Sequence, residues 1–378
     1  MNIIHLVRAV TWGGGERYAL DLCHASVEAG HNVVVATKGT SLIDSKFSEA
    51  GAAIEHLPLG GTLDFLSPIR LARLIRSLPG DEVVIHVHTF KDAEIAARAK
   101  VLLNSGSKER NGKAPKRVRL VCTRHLVKPG KRSPRWNFIF RHIDALIFVS
   151  ELAKRVFLEG DPKVAPDILS VIHNSIIPPA EELSPTGGTQ SFSPSAAPQC
   201  IVLYTGRISP EKGIETLIKA IARIKECPLN LRIAGTGPDE YISSLKSLAE
   251  KEGVDKRIEW LGFVPDIFEE IRRSDICVAP SLWREPFGLT IIEFMSQGRP
   301  VVTTDNGAQP EIITDGIDGI LIPAGDAASL AGAIRNLVEN PSLRKEIGRK
   351  GADTFKRRFS YPIFFSKIIS IYKDCLNF

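Results

Sequence analysis

Two glutamates, Glu285 and Glu293, close the two ends of the segment Glu285-Pro286-Phe287-Gly288-Leu289-Thr290-Ile291-Ile292-Glu293. Proline at 286 biases Glu285 away from the α region, so Glu285 belongs to a loop just before a helix that stops at Gly298. Glu293 then lies inside that helix, an acid in an otherwise apolar run, and a buried acid needs a partner. The amides of Phe287, Gly288, Leu289 and Thr290 point out of the helix start, where unpaired donors and the positive dipole end favour a phosphate. The pattern places one carboxylate on each side of an anion site. Two glutamates at this spacing are also common on solvated helices.

A second constellation is Tyr204-Thr205-Gly206-Arg207-Ile208-Ser209-Pro210-Glu211-Lys212-Gly213, a strand feeding a turn that opens a helix. Arg207, a two-toothed donor, and Lys212, a point charge, could converge on a phosphate and stabilise a departing diphosphate. Capping of the adjacent helix or pairing with surface acids explains the same residues. Near the start, Thr11-Trp12-Gly13-Gly14-Gly15-Glu16 follows the first strand, and its glycines allow close backbone approach to an anion. Arg17 and Tyr18 stand where a G-x-G-x-x-G dinucleotide fingerprint would want glycine, which lowers a dehydrogenase reading.

These loops need a scaffold. Apolar runs at 2–7, 32–37, 83–87, 120–123, 145–149 and 169–173 alternate with amphipathic stretches such as 16–29 and 65–76, the βαβ pattern of a parallel sheet. The segment 183–199, rich in serine, proline and glycine, interrupts it and reads as a linker. The alternation restarts with strands at 200–204, 229–234, 258–261, 276–279, 301–304 and 319–322 and helices near 214–224 and 240–252. Two parallel α/β units in tandem are expected, and ligands of such sheets bind beyond the carboxyl ends of the strands.

Composition agrees with two globular cores: 378 residues, 43% hydrophobic and 24% charged. The six cysteines lie far apart, without CxxC pairs or zinc-ligand spacing, which fits a reducing compartment. Residues 1–7 read as a buried strand rather than a signal peptide, and no apolar run approaches a membrane span. The net charge of +6 is uneven: residues 104–119 hold six basic side chains against one acid, and 124–135 hold five with none. Such a patch attracts phosphates, and a solvated lysine-rich loop explains it equally well.

Taken in order, the motifs resemble those of family 4 (group 1) glycosyltransferases of the GT-B fold. The set runs from Gly13-Gly14-Gly15-Glu16 through Gly206-Arg207, Glu211-Lys212-Gly213, Ala234-Gly235-Thr236-Gly237-Pro238 and Leu261-Gly262-Phe263-Val264. It continues with the 285–293 segment, Gly298-Arg299-Pro300-Val301-Val302, Pro310-Glu311-Ile312-Ile313, Asp315-Gly316 and Gly319. The resemblance implies an α/β chain with two Rossmann-like domains whose parallel sheets face across a cleft. Residues 1–182 would form the acceptor domain, 183–199 the linker, 200–358 the nucleotide-sugar domain and 359–378 a helix crossing back to the first domain.

Carried onto this chain, the family's site puts Glu285 near the transferred sugar, Glu293 on the donor ribose, and Arg207 and Lys212 on the diphosphate. The amides at Gly288, Leu289 and Thr290 and the loop at Gly14 and Gly15 would complete the phosphate cradle, with the backbone near Val264 meeting the base. The family's N-terminal histidine corresponds to His125 in Leu120-Val121-Cys122-Thr123-Arg124-His125, and Glu16, Arg124 and Lys128 would lie on the acceptor side. His86 and His88 are rivals of His125, although alternation aims both at one strand face and a core role is the simpler reading. The resemblance implies retention of configuration. No Asp-x-Asp pair occurs, so no metal and no other cofactor is expected, basic groups taking the metal's place.

The chain departs from the family in two places, with Ser175 after Asn174 where glycine is common, and Asn306 before Gly307 where Gly-Gly is frequent. Interleaving of Lys128, Lys131, Arg132 and Arg135 with Trp136, Phe138, Ile139 and Phe140 suits an anionic-membrane contact through residues 104–141 or a phosphorylated acceptor. A core helix after a basic loop explains the aromatics too. The expectation is a cytoplasmic enzyme, peripheral at the inner face of the plasma membrane, moving a hexose from a UDP-sugar to a bacterial cell-envelope glycolipid or saccharide. A silent sugar-binding relative and a GT-B sugar-nucleotide epimerase are the alternatives. Nucleic acid is not an expected partner, since no reading helix or aromatic RNA platform is present.

Overall fold

The computed structural model describes residues 1–61, 64–105, 116–179 and 199–377. The chain divides into two compact units, Met1–Asn174 with Tyr361–Phe378, and Ser175–Ser360. The expected linker at 183–199 lies, but for its last residue, outside the described residues.

In the first unit the order is β1 (Asn2–Val7), α1 (Gly14–Glu28), β2 (Asn32–Thr37), α2 (Ser41–Glu49), β3 (Ala53–His56), α3 (Leu66–Ser77), β4 (Glu82–Val87), α4 (Phe90–Asn104), β5 (Arg117–Arg124), α5 (Pro134–His142), β6 (Ala145–Phe148), α6 (Glu151–Leu158) and β7 (Leu169–Val171). The second unit runs β8 (Cys200–Thr205), α7 (Ile214–Ala222), β9 (Leu229–Ala234), α8 (Asp239–Lys251), β10 (Ile258–Gly262), α9 (Ile267–Arg273), β11 (Ile276–Ala279), α10 (Leu289–Ser296), β12 (Val301–Thr304), α11 (Gln309–Ile312), β13 (Ile320–Ile322), α12 (Ala327–Glu339) and α13 (Pro341–Thr354). The last helix, α14 (Tyr361–Asn377), belongs to the first unit.

Both sheets are parallel, ordered β3-β2-β1-β4-β5-β6-β7 and β10-β9-β8-β11-β12-β13. Strands β1, β4, β8 and β11 are largely buried on both faces because helices cover both sides, and apart from His5 and His86 their buried interiors are mostly apolar. The strand order reverses between β1 and β4 in one sheet and between β8 and β11 in the other, and at such a switch point diverging loops leave a crevice for ligand.

One face of the first sheet packs Leu71 and Ile75 of α3, Phe140 of α5 and Phe157 of α6. The other face takes Tyr18 and Leu22 of α1, Phe47 of α2, and Phe364, Ile368 and Tyr372 of α14. Burying each of these large side chains is worth roughly 1.5–3 kcal/mol, so the α14 stripe suffices to hold the helix on this sheet.

The unit boundary has a local cause at serine 175, one of the departures noted above. Its hydroxyl donates to the Phe359 carbonyl at 2.6 Å, and Ile176 forms a parallel bridge with Ser360. Both crossing strands are thereby tied to the second unit, so the division falls after Asn174 and after Ser360.

Candidate active site

In the second unit, Lys212 and Glu285 meet at the switch point. Lys212 follows β8 and Glu285 follows β11, and the two loops are pressed together. A Cβ on Gly213, whose φ is +73°, would stand 1.9 Å from the Pro280 carbonyl oxygen, and the Leu282 amide donates to the Glu211 carbonyl at 2.8 Å. Only glycine allows this approach, and it delivers the Lys212 ammonium to Glu285 Oε1 at 2.5 Å. Ser281 Oγ donates to the same oxygen at 2.7 Å, and the ammonium lies 5.6 Å from the centre of the Trp283 ring. The carboxylate is 14% exposed and the ammonium 21%, so the pair is shielded yet reachable.

Glu285 is also held through its backbone. Its carbonyl accepts from the Ala308 amide, and Gly307 approaches so closely that a Cβ there would be 2.5 Å from the Glu285 nitrogen. Asn306, the other departure, bridges the loops: its side-chain amide donates to the Leu282 carbonyl at 2.8 Å and its Oδ1 accepts from Thr304 Oγ1 at 3.0 Å.

Helix α10 opens at Gly288, which has φ +122° and offers no side-chain cap, so the amides of Leu289 and Thr290 head the helix without a side-chain acceptor. Glu293 is half-buried between the fully buried Ile292 and Phe294. Arg207 is largely exposed and pairs with Glu211 at 3.1 Å, the surface-acid pairing allowed above, while the Tyr204 hydroxyl donates to its carbonyl. Arg207 and Lys212 each hold their own carboxylate. Val264 is partly buried just past β10, next to Phe263, which is 75% exposed.

In the first unit, α1 starts at Gly14, so Gly14, Gly15 and Glu16 form its first turn. Gly13 provides no side-chain cap, and a Cβ on Gly15 would meet nothing within 4 Å. Arg124 and His125 separate across the sheet. Arg124 is buried, its guanidinium 5.0 Å from the Phe90 ring centre and 5.1 Å from that of Phe157, and it donates to the Lys128 carbonyl at 2.6 Å. The Lys128 side chain is exposed. His125 leaves on the opposite side, edge-on to Tyr18 at 4.8 Å; its Nε2 is buried without a partner, and desolvation pushes its pKa down to about 4.

Beneath it lies a histidine cluster. His86 is fully buried, Nδ1 meeting the Tyr372 hydroxyl at 2.5 Å and Nε2 meeting Thr123 Oγ1 at 2.7 Å. His5 Nδ1 and His88 Nε2 are 3.4 Å apart. Burial lowers His5 to about 4 and, with the neighbouring imidazoles, holds His86 and His88 well below the usual range, so all are neutral near pH 7. The nitrogens of His5, His86 and His88 fall within 4.8 Å of one another. Both nitrogens of His86 are committed to hydroxyls, and a metal ion would have to displace one of them.

Two family models divide the chain between them: Glycosyltransferase Family 4 over residues 12–178 and Glycosyl transferases group 1 over residues 190–354. The chain belongs to the family 4, group 1 glycosyltransferases. This glycosyltransferase is 29% identical over 373 residues to a phosphatidyl-myo-inositol mannosyltransferase of Mycobacterium leprae, covering 96% of this chain and 93% of that one. It is 34% identical over 168 residues to LpsE of Rhizobium meliloti, a lipopolysaccharide core biosynthesis glycosyltransferase, covering 44% and 47% of the two chains. Among solved structures, Anabaena HepE in complex with UDP and glucose matches with a TM-score of 0.76 over 97% of this chain and 98% of that one, at 20% identity. The fold is GT-B.

Much of the glycosyltransferase's basic stretch is neutralised internally. Arg135 pairs with Glu94, Arg119 and Lys100 with Asp144, Arg117 with Glu82 and Arg132 with Asp161, while Lys116 donates to the Leu78 and Gly80 carbonyls. Lys108, Arg110 and Lys113 lie outside the described residues. No helix among the described residues is long and apolar enough to cross a membrane.

Sequence reasoning missed Ser281, Trp283, His5, Tyr18, Thr123 and Tyr372. His5 was reachable in principle, because β1 beside β4 puts it in register with His86. The others depend on which loops and helices pack together.

Proposed function

We propose that this glycosyltransferase moves a hexose from a UDP-sugar to a cell-envelope glycolipid or saccharide with retention of configuration and without a metal ion. The Lys212–Glu285 contact at the switch point, beside the open start of α10, carries the reading. Lys212 and Arg207 receive the diphosphate together with the amides of Gly288, Leu289 and Thr290; Glu293 takes the ribose and the backbone near Val264 the base. Once Lys212 turns to the phosphate, the Glu285 carboxylate stabilises positive charge growing on the sugar ring. The bond from C1 to the diphosphate oxygen breaks, the acceptor oxygen bonds to C1 on the same face, and the acceptor's proton passes to the departing phosphate oxygen.

From the first unit we assign His125 to the transferred sugar or diphosphate, Gly14 and Gly15 to the phosphates, and Glu16 and Lys128 to the acceptor. Arg124 acts on the acceptor through the 124–128 turn that it clamps. By their names, one relative is a phosphatidyl-myo-inositol mannosyltransferase and LpsE a glycosyltransferase of lipopolysaccharide core biosynthesis, which supports a lipid-linked acceptor. Peripheral contact at the cytoplasmic face of the membrane through residues 104–141 belongs to the same reading. Within the described part of that stretch it rests on Lys128, Lys131 and Arg141, which form no ion pair among the described residues, Lys131 lying 6.0 Å from the centre of the Trp136 ring.

A thermal-shift panel of UDP, GDP and ADP with their sugar conjugates tests the donor, since ligand at 100 times its Kd adds about 2.7 kcal/mol. Stabilisation by uridine nucleotides alone, followed by donor turnover, is the expected result. A shift with another base would replace the donor, and absence of any donor turnover would favour a silent relative.

A further inference from the structure

Four buried side chains join α14 to the strand end that carries His125. The Tyr372 hydroxyl meets His86 Nδ1, His86 Nε2 meets Thr123 Oγ1, and Thr123 Oγ1 meets the Tyr18 hydroxyl at 3.2 Å. A neutral imidazole has one N–H and one lone pair, so one of the two hydroxyls on His86 donates and the other accepts. A consistent direction runs from Tyr372 to His86, on to Thr123, with Tyr18 completing the chain. The Tyr18 ring is then fixed from two sides, edge-to-face against His125 at 4.8 Å and against Phe364 of α14 at 5.3 Å. Tyr18 also stands at the end of the first turn of α1, four residues past Gly14, and Thr123, on β5, is two residues before His125, which lies just past the strand end. His125 Nε2 has no protein partner of its own. Its ring is therefore oriented by packing, and the packing surface is set by the hydroxyl chain.

We propose that Tyr372 and Tyr18 are positioning residues of this glycosyltransferase: through His86 and Thr123, the final helix holds the imidazole of His125 in its working orientation. The inference rests on the assignment of His125 to the transferred sugar or diphosphate. It makes α14 part of the active machinery and not only a packing tie.

The test uses Tyr372→Phe, His125→Asn and their double variant in the full chain, with donor turnover and donor KM measured at a temperature where all are folded. Tyr372→Phe deletes one oxygen and keeps the ring, and we expect kcat to fall about tenfold with donor KM changed less than about twofold, as for a reactive group misplaced by a fraction of an ångström. The double variant should be no slower than His125→Asn alone, because the hydroxyl acts only through the imidazole. Thr123→Val should reproduce the loss and Thr123→Ser should restore it. Imidazole NMR of labelled protein gives a second measurement that needs no turnover: the His125 signals should move in Tyr372→Phe. Unmoved signals, an additive double variant, or unchanged kcat in Tyr372→Phe would each overturn the inference. Full activity in His125→Asn would instead overturn the assignment beneath it.

Discussion

The ammonium of Lys212 and the carboxylate of Glu285 come together from positions 73 residues apart, and Ser281 shares the same carboxylate oxygen. The contact keeps a cation and an anion next to one another at the end of β8 and β11, so either can be released to a ligand of opposite charge. It also separates their roles in experiment. Glu285→Gln preserves shape and removes charge. We expect kcat to fall by about 10²-fold or more while UDP affinity does not weaken, because Lys212 loses its competing partner. Full turnover in this variant would rule out a charge role for Glu285.

Lys212→Met should show the opposite split. Nucleotide diphosphate binding weakens, by roughly 1.5–3 kcal/mol for a charge-assisted contact, and calorimetric titration with UDP measures it. UDP binding unchanged from the parent would remove Lys212 from the diphosphate site.

Turnover in EDTA should equal turnover in magnesium, since the proposed chemistry takes its positive charge from Lys212, Arg207 and the start of α10. Activity lost in EDTA and regained with magnesium would require a metal that the present reading does not include.

Glycine positions give a stability prediction with two signs. Gly213→Ala demands a left-handed non-glycine and pushes a Cβ to 1.9 Å from the Pro280 oxygen, and should cost roughly 3 kcal/mol together with the Lys212–Glu285 contact. Gly332 lies inside α12 with open space around it, so Gly332→Ala should stabilise by about 0.5–1 kcal/mol. Thermal unfolding of the two variants reads both.

Acid should act on the first unit. All nine histidines precede residue 174, and His5 and His125 are held at about 4 against an ordinary 6.5. Their unfolded forms bind protons more readily than the folded ones below about pH 6.5, so the stability they confer as neutral groups is complete above that pH and is lost as pH falls toward 4. The loss is on the order of 3 kcal/mol for each imidazole. Urea unfolding followed through Trp12 and Trp136 should become easier across that window, and unfolding followed through Trp260 and Trp283 should change much less. Equal acid sensitivity of both reporters would contradict this assignment.

The amino-acid order alone determined the two parallel α/β units and the loops that matter. Central strands such as β1, β4 and β8 are buried on both faces and read as largely apolar runs, broken in β1 and β4 by His5 and His86, whereas β3, largely exposed at the sheet edge, has no such signature. Glu285, Lys212 and the start of α10 were legible because proline, glycine and helix-start chemistry act over a few residues. The partners of those residues were not. Lys212 reaches Glu285 only because Gly213 lets one loop close on another, and Asp144, Glu94 and Asp161 neutralise a basic stretch that looked unopposed in one dimension. Arg124, the last residue of β5, and His125, just past it, sit side by side in sequence, yet one enters a cage of phenylalanines and the other packs against Tyr18. His86 and Tyr372 are 286 positions apart, and their bond exists because the chain returns to the first unit after Ser360 and α14 buries its apolar stripe on the first sheet. Local chemistry is written along the chain, but the pairing of distant charges and hydroxyls is decided by which surfaces hydrophobic burial brings together.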